Sequence, residues 1–409
     1  MRRMIYSVII VLLLIPVQID KLTACTSAII TGKATPDGRS LLWKHRDTGE
    51  LDNRIEYFGK SKEIKYAFIA LVNSSVQYGE AWTGTNESGF SIMNTASYNL
   101  KEDDDKLADR EGEIMFQALA TCRTLTDFEK MLNKAKRPIG VEANFGVIDA
   151  EGGAAYYEVN NTEWRKVDVN DPKIAPQGYL VYTNHSFTGR INEGSGYVRF
   201  TAANRIFSDR LAVNGEFTPQ WIFNSLSRCY YNPILNVDLI ANPELAPNGW
   251  YVDQDFIPRR ISSASIVVKG VKKGENPDLT VMWTILGYAP VSVAVPLFVK
   301  GGENLPKSVV KRGENDQNLE ADNCLMCDLS MQRKANIFPI KRGNGRNYFH
   351  FSLIYNREQT GYMQRLAPYE NKIFVDTDKQ MNKWYSDGSV DLQELNNLYH
   401  NLDFGEDIR

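Results

Sequence analysis

After residue 24, the hydrophobic residues of the chain follow two patterns, one typical of β-strands and one typical of α-helices. Short runs in which apolar and polar residues alternate, bounded by turn residues, predict β-strands. Apolar residues at helical spacing predict α-helices in 111–135, 199–212 and 218–229. The resulting order of strands, helices, strands, helices and strands favours an α+β fold over repeated βαβ units. The strand-like runs lie at 25–33, 40–47, 66–73, 89–98, 143–159, 178–185 and 264–299.

The segment that begins at Cys25 is predicted to form a β-hairpin. CTSAIITGK alternates and is rich in Thr and Ile, ATPDGR supplies Pro and Asp-Gly for a turn, and SLLWKHRD forms the returning strand. We expect residues 25–303 to form the main domain. Residues 304–409 are predicted to be a polar linker and a mostly helical C-terminal extension that packs on that domain.

The first 24 residues have the three-part pattern of a secretory signal. MRRM is basic, IYSVIIVLLLIPV is an apolar run of 13 residues, and QIDKLTA is more polar and ends at Ala24. The apolar run is shorter than the roughly 20 residues that span a membrane, and no later segment approaches that length. We therefore predict that 1–24 is a signal peptide. The mature protein is expected in the periplasm or outside the cell, without a transmembrane span.

Composition and cysteine content narrow the function classes. The formal net charge is only -3 and no Lys/Arg-rich run is present, so a nucleic-acid partner has no electrostatic support. The five cysteines are too few for a disulfide scaffold. The lone CxxC at Cys324 and Cys327 lacks a second CxxC or a His pair to complete zinc ligation, so we predict core packing or an incidental disulfide. We expect neither a metal nor another cofactor.

Cys25 directly follows the predicted signal, and two interpretations fit that position. After cleavage its α-amine, with an ordinary pKa of about 7.7–8.0, can accept the proton of its own thiol, so no histidine base is needed. Alternatively, LTAC at 22–25 matches a bacterial lipobox, and the protein is a lipid-anchored, non-catalytic surface protein. Against lipidation, polar residues separate the apolar run from LTAC, and Cys25 leads straight into strand sequence.

CTS at 25–27, GKATPDGR at 32–39 and LWKHRD at 42–47 together resemble the opening of the cysteine N-terminal nucleophile hydrolases. The sequence is most similar to the linear amide C–N hydrolases. That group contains acyl-coenzyme A:6-aminopenicillanic acid acyltransferase, choloylglycine hydrolase and penicillin V acylase. The resemblance implies an αββα sandwich, in which two antiparallel sheets face each other and helices cover both outer faces.

The resemblance also implies roles for individual residues. Cys25 matches the nucleophile, and Asp47 matches the aspartate that holds the nucleophile's amine. Asn184 matches the asparagine whose side-chain amide donates to the oxyanion, and Arg199 resembles an active-site arginine of the family.

Three further positions are carried over on shorter matches. The family has an arginine three residues before its aspartate; here that position is Lys44, and Arg46 lies close by. A cation near the thiol favours the thiolate, so either residue can serve. Asn94 lies where the family has another oxyanion or substrate-pocket residue.

These assignments predict an exported enzyme that cleaves a linear amide bond through an acyl-enzyme on Cys25. Water would resolve the acyl-enzyme to give hydrolysis, whereas an amine would give acyl transfer. The expected substrate is a small N-acyl amide. A cysteine dipeptidase of the related class is an alternative, because those enzymes also open with Cys-Thr and a Gly-Lys…Asp-Gly motif.

Overall fold

The computed structural model describes residues 24–75, 78–100, 109–311 and 323–402 of the 409-residue chain. The predicted signal peptide lies outside the described residues except for Ala24, and so does part of the predicted linker. The predicted boundary between residues 303 and 304 stays a prediction.

The described residues form seventeen β-strands and seven α-helices. The strands are β1 Ala24–Ile30, β2 Leu41–Asp47, β3 Asn53–Phe58, β4 Phe68–Asn73, β5 Thr83–Asn86, β6 Ser91–Ala96, β7 Ala143–Ile148, β8 Ala154–Val159, β9 Trp164–Asp168, β10 Tyr179–Tyr182, β11 Tyr231–Asn232, β12 Val237–Asp238, β13 Trp250–Val252, β14 Ser262–Lys269, β15 Val281–Leu286, β16 Val295–Leu297 and β17 Tyr348–His350. The helices are α1 Glu111–Thr121, α2 Leu125–Lys134, α3 Tyr197–Ala212, α4 Pro219–Ile222, α5 Leu325–Ile337, α6 Tyr362–Asp387 and α7 Leu392–His400.

Two antiparallel sheets contain most of the strands. One has six strands in the order β10-β1-β2-β14-β15-β16, and the other is a seven-stranded meander from β3 to β9. Two pairs, β11 with β12 and β13 with β17, form separate small sheets. Because β17 comes from the C-terminal extension and β13 precedes it by about a hundred residues, that extension shares a sheet with the main body.

Alternation along the strands explains how the sheets pack. In β8, Tyr156 belongs to a cluster between the two sheets, whereas Tyr157 points the other way and packs on Phe128 of α2 with ring centroids 5.1 Å apart. The first cluster continues beneath the helices over the six-stranded sheet, where it includes Phe207 of α3 and Phe374 of α6. The layers therefore run helix, sheet, sheet, helix, and the predicted αββα sandwich is confirmed.

The predicted opening hairpin is confirmed. β1 and β2 pair from Ala24 opposite Asp47 to Ile30 opposite Leu41. Gly38 in the connecting turn has a φ of +74°, a conformation that glycine adopts without a steric penalty. Thr124 caps α2, since its hydroxyl accepts a hydrogen bond from the Asp127 N–H at the start of that helix.

Other sequence predictions need correction. The helix predicted over 218–229 ends at Ile222 and continues as a π-helical turn, Phe223–Ser227. In the final part of the strand-like run 264–299, Ala289–Val291 forms a 3₁₀ turn that includes a proline, and only Val295–Leu297 forms a strand, β16. Strand β9 was not predicted, since as an edge strand it leaves most of its side chains partly exposed and carries no apolar stripe.

The C-terminal helices cover the six-stranded sheet. Cys324 and Cys327 are free, buried thiols at the start of α5, which supports packing and not an incidental disulfide. The Cys324 sulfur accepts a hydrogen bond from the Cys327 N–H and so caps the helix. None of the helices in the described segments is both long and apolar enough to cross a membrane.

Candidate active site

Cys25 lies at the start of β1 with its side chain on the face that meets the seven-stranded sheet. Ser27, two residues on and therefore on the same face, has its hydroxyl 3.1 Å from the Tyr156 hydroxyl of β8. Cys25 is buried, with 6% of its surface exposed. Ala24 still precedes it, so the Cys25 nitrogen is a peptide nitrogen in this structure.

Asn184 and Arg199 hold the backbone of Cys25 from both sides. The Cys25 N–H donates to Asn184 Oδ1 at 2.9 Å, and Arg199 Nη1 donates to the Cys25 carbonyl oxygen at 2.7 Å. Arg199 Nη2 also donates to Asn184 Oδ1 at 3.0 Å, which fixes the orientation of the amide. The nucleophile candidate and two of its predicted partners are thus brought together although they are far apart in sequence.

Local geometry explains how these two side chains reach Cys25. Strand β10 pairs with β1 and ends at Tyr182, so the chain passes the start of β1 as it leaves the sheet. Gly196, the residue before α3, has a φ of +81°, and a Cβ there would lie 2.5 Å from Arg199 Nη2. A glycine is therefore required for the Arg199 guanidinium to occupy its place.

The hydrogen bonds of the Asn184 amide nitrogen differ from those of its oxygen. Nδ2 donates one hydrogen to the Ala96 carbonyl oxygen at 2.9 Å. A primary amide carries two hydrogens, and no second hydrogen bond from Nδ2 is found among the described residues. The carbonyl oxygen of the same amide is already occupied by Cys25 and Arg199, which sets the direction in which the amide nitrogen points.

Asp47 ends β2 opposite Ala24, at the same end of the hairpin as Cys25, and belongs to a charged cluster. Its Oδ1 accepts a hydrogen bond from the Ser262 hydroxyl at 2.6 Å, and its Oδ2 pairs with Arg259 Nε at 2.7 Å. Burial lowers the pKa of Arg259, but the carboxylates of Asp47 and Asp255 together raise it above its usual value. The predicted contact between Asp47 and a free amine on Cys25 stays a prediction, because that amine is a peptide nitrogen here.

His45 completes the hydrogen bonding of Ser262. Its Nε2 lies 3.0 Å from the Ser262 hydroxyl, whose own hydrogen goes to Asp47 because a carboxylate can only accept. Burial lowers the pKa of His45 to about 4, so the ring is neutral at pH 7. We therefore assign the ring hydrogen to Nε2, which then donates to Ser262.

Lys44 and Arg46 both point to the thiol side of the sheet. Cys25 pairs with Arg46 and Ser27 with Lys44, and residues paired in this way lie on one face. The Lys44 ammonium donates to the Trp82 carbonyl oxygen at 2.6 Å and to Asn94 Oδ1. Asn94 is therefore a partner of Lys44 in this structure.

The two cations differ in their surroundings. Burial lowers the pKa of Lys44 to about 8, and the negative charge of a Cys25 thiolate opposes that shift. Burial lowers the pKa of Arg46 to about 10, so its guanidinium remains charged at neutral pH. Arg46 is bound by Asn53 Oδ1 and by Asn73 Oδ1. Lys44 is therefore the more easily deprotonated of the two cations.

Sequence reasoning missed three members of the site, and each is distant from the opening motif. Arg259 and Ser262 arrive through the pairing of β14 with β2, which places Ser262 opposite Asp47. Asp255 joins Arg199 to Arg259 through contacts of 3.0 and 2.5 Å. The available sequence signal was the group of polar residues, Arg259, Arg260, Ser262 and Ser263, just before the strand predicted from residue 264. Across the described ranges, no group of three or more His, Cys, Asp or Glu side chains is arranged to hold a metal ion.

Residues 36–209 match the family model described as acyl-coenzyme A:6-aminopenicillanic acid acyl-transferase. This region begins after Cys25 and includes Asp47, Asn184 and Arg199. The family resemblance predicted from the sequence is thereby confirmed. No curated protein sequence matches the chain.

Three solved structures are similar to this chain at low identity. An N-acylethanolamine-hydrolyzing acid amidase ortholog from Caenorhabditis elegans is 15% identical, covers 59% of this chain and 92% of its own, and has a TM-score of 0.41. An arginine-to-leucine variant of conjugated bile acid hydrolase from Clostridium perfringens is 13% identical, with coverage of 68% and 93% and a TM-score of 0.40. Penicillin V acylase from Agrobacterium tumefaciens is 12% identical, with coverage of 68% and 86% and a TM-score of 0.38.

Proposed function

With the match of residues 36–209 to the acyl-coenzyme A:6-aminopenicillanic acid acyl-transferase family as the premise, we propose that this chain is an exported amide hydrolase. Cys25 is its nucleophile once residues 1–24 have been removed. The observation that carries the proposal is the convergence of Asn184 and Arg199 on the backbone nitrogen and oxygen of Cys25.

The hairpin register supports cleavage before Cys25 as the activating step. Ala24 pairs directly with Asp47. Cleavage after Ala24 therefore creates the Cys25 amine next to the residue that faces Asp47. A carboxylate there can orient the amine and stabilise its protonated form. Lys44 and Arg46 supply two cationic side chains on the same face of the sheet as the thiol.

The reaction then follows from the positions of these groups. The Cys25 thiolate attacks the amide carbonyl carbon of a small N-acyl amide, and the carbonyl oxygen becomes an oxyanion that accepts the second Asn184 N–H. The protonated α-amine gives its proton to the leaving nitrogen as the C–N bond breaks, which leaves a thioester on Cys25. Water, deprotonated by the amine, hydrolyses the thioester and restores the thiol.

The test compares a chain that begins at Cys25 with one that begins at Ala24. We screen both against N-acyl amino acids, bile salt conjugates, penicillin V and dipeptides. We expect turnover only from the chain that begins at Cys25, because in the longer chain the amine is replaced by an amide. Cys25→Ala should abolish turnover and Cys122→Ala, at another buried free cysteine, should retain it.

Three results would contradict the proposal. Equal turnover by the two chains would show that the α-amine is not needed, and retained turnover by Cys25→Ala would exclude the nucleophile. A diacylglycerol on Cys25 of the purified protein, detected by mass spectrometry, would identify the lipid-anchored alternative. Turnover restricted to dipeptides would instead identify a dipeptidase with the same nucleophile.

A further inference from the structure

Lys334 is a buried lysine that lies beside the Asp47 cluster and comes from helix α5. It belongs to the C-terminal extension, beyond the region that matches the family model. Only 4% of its surface is exposed, and its ammonium group donates to the Ser262 carbonyl oxygen at 2.7 Å. The ammonium also lies 5.2 Å from the centre of the Tyr288 ring.

Ser262 links this lysine to the proposed chemistry. Its hydroxyl donates to Asp47 at 2.6 Å, and its backbone lies opposite Asp47 in the pairing of β14 with β2. The register of that pairing shifts between Ser262 and Ala264, so regular ladder bonds do not fix Ser262 as they fix the residues after it. The Lys334 contact supplies a restraint at the point where the ladder is irregular.

Lys334 also interacts with Asp47 through its charge. Burial lowers the pKa of Lys334 to about 7, and the largest opposing influence is the Asp47 carboxylate. A protonated Lys334 and the Asp47 carboxylate therefore attract each other. A buried ammonium group is costly unless it is compensated, and hydrophobic residues usually occupy such sites in a helix that only packs.

We propose that Lys334 is a positioning residue through which the C-terminal extension completes the active site. It holds Ser262, and with it the Asp47 carboxylate, where that carboxylate can orient the Cys25 amine. This inference rests on the proposed function, because the amine exists only in the processed chain.

The variant that tests it is Lys334→Met, which keeps most of the length of the side chain and removes the charge and the donor. We expect kcat to fall about tenfold or more, since small displacements of catalytic groups have effects of that size, with KM within about twofold of wild type. Arg333→Met is the matched control. Arg333 lies on the same helix and donates to the Val291 carbonyl oxygen at 2.9 Å, outside the Asp47 cluster. This control should keep wild-type kcat.

A double variant separates positioning from general stability. If Lys334 acts through Asp47, Lys334→Met should reduce kcat by less than about twofold in an Asp47→Asn background, as expected for residues that act as a unit. The same loss in both backgrounds would overturn the inference, and so would a normal kcat for Lys334→Met. If Lys334→Met does not fold, Lys334→Leu replaces it, since leucine also lacks the charge and the donor, and a normal kcat there has the same meaning.

Failure of this inference differs from failure of the proposed function. A wild-type chain that begins at Cys25 and turns over no amide would remove the proposed function and this inference together. A wild-type chain whose turnover depends on Cys25 but not on Lys334 would remove only the role of Lys334.

Discussion

Replacing Asn184 with aspartate tests the oxyanion role with little change in shape. In the structure Asn184 Oδ1 accepts from Cys25 and Arg199, and Nδ2 donates to Ala96. Aspartate keeps an oxygen for Cys25 and Arg199 but places an acceptor where the amide nitrogen was. The variant therefore retains the contacts to Cys25 and Arg199, and it loses both the hydrogen bond to Ala96 and the donor for the oxyanion.

The size of the effect follows from the lost donor. Removing one oxyanion donor typically costs about 2.7–4 kcal/mol of transition-state stabilisation. At 1.36 kcal/mol for each tenfold change in rate, kcat should fall by about 100- to 1000-fold. The new carboxylate also repels the developing oxyanion, so the larger end of this range is expected. KM should change little, because the donor acts mainly on the transition state.

The assay measures kcat and KM on the substrate found for the chain that begins at Cys25, with urea unfolding as the check on stability. Asn144→Asp is the control, since Asn144 is equally buried and donates to the neighbouring His185 carbonyl oxygen, and among the described residues it forms no hydrogen bond with Cys25. A kcat for Asn184→Asp within about threefold of wild type, with the fold intact, would refute the role of Asn184 in binding the oxyanion.

Two further predictions concern stability. Burial lowers the pKa of His45 from 6.5 to about 4, so between these pH values the unfolded state binds more protons and the free energy of unfolding falls as the pH falls. His45→Gln should reduce that fall, measured by urea unfolding at a series of pH values. An unchanged pH dependence would contradict this prediction. Arg228 and Glu370 form a buried bidentate pair at 2.7 and 2.8 Å between the main body and α6, so Glu370→Gln should lower the free energy of unfolding by about 3–5 kcal/mol. Adding Arg228→Met should recover part of that loss, and strictly additive losses would count against a coupled pair.

The opening hairpin could be predicted because its determinants are local. Alternation in 25–33 and 40–47 fixes which residues share a face, and the Asp37-Gly38 turn fixes the register. The placement of Lys44 and Arg46 on the side of Cys25 follows from that register alone.

The order of the strands within each sheet depends on pairings between distant segments. Strand β14 inserts beside β2 with more than two hundred residues between their partners, and alternation within either strand does not encode that choice. Arg259 and Ser262 therefore reach Asp47 through tertiary structure only. The same holds for Lys334, whose helix showed no sequence signal for a place beside the site.

The sequence by itself determined the hairpin that begins at Cys25, the faces of its side chains and the candidate residues Asp47, Asn184 and Arg199. Only the tertiary structure decided that Asn184 and Arg199 form hydrogen bonds with the backbone of Cys25 and that Ser262 and Arg259 donate to Asp47. The physical reason is that backbone conformation and alternation act over a few residues. The charges around Cys25 are compensated instead by groups that meet only when the two sheets and the C-terminal helices have packed.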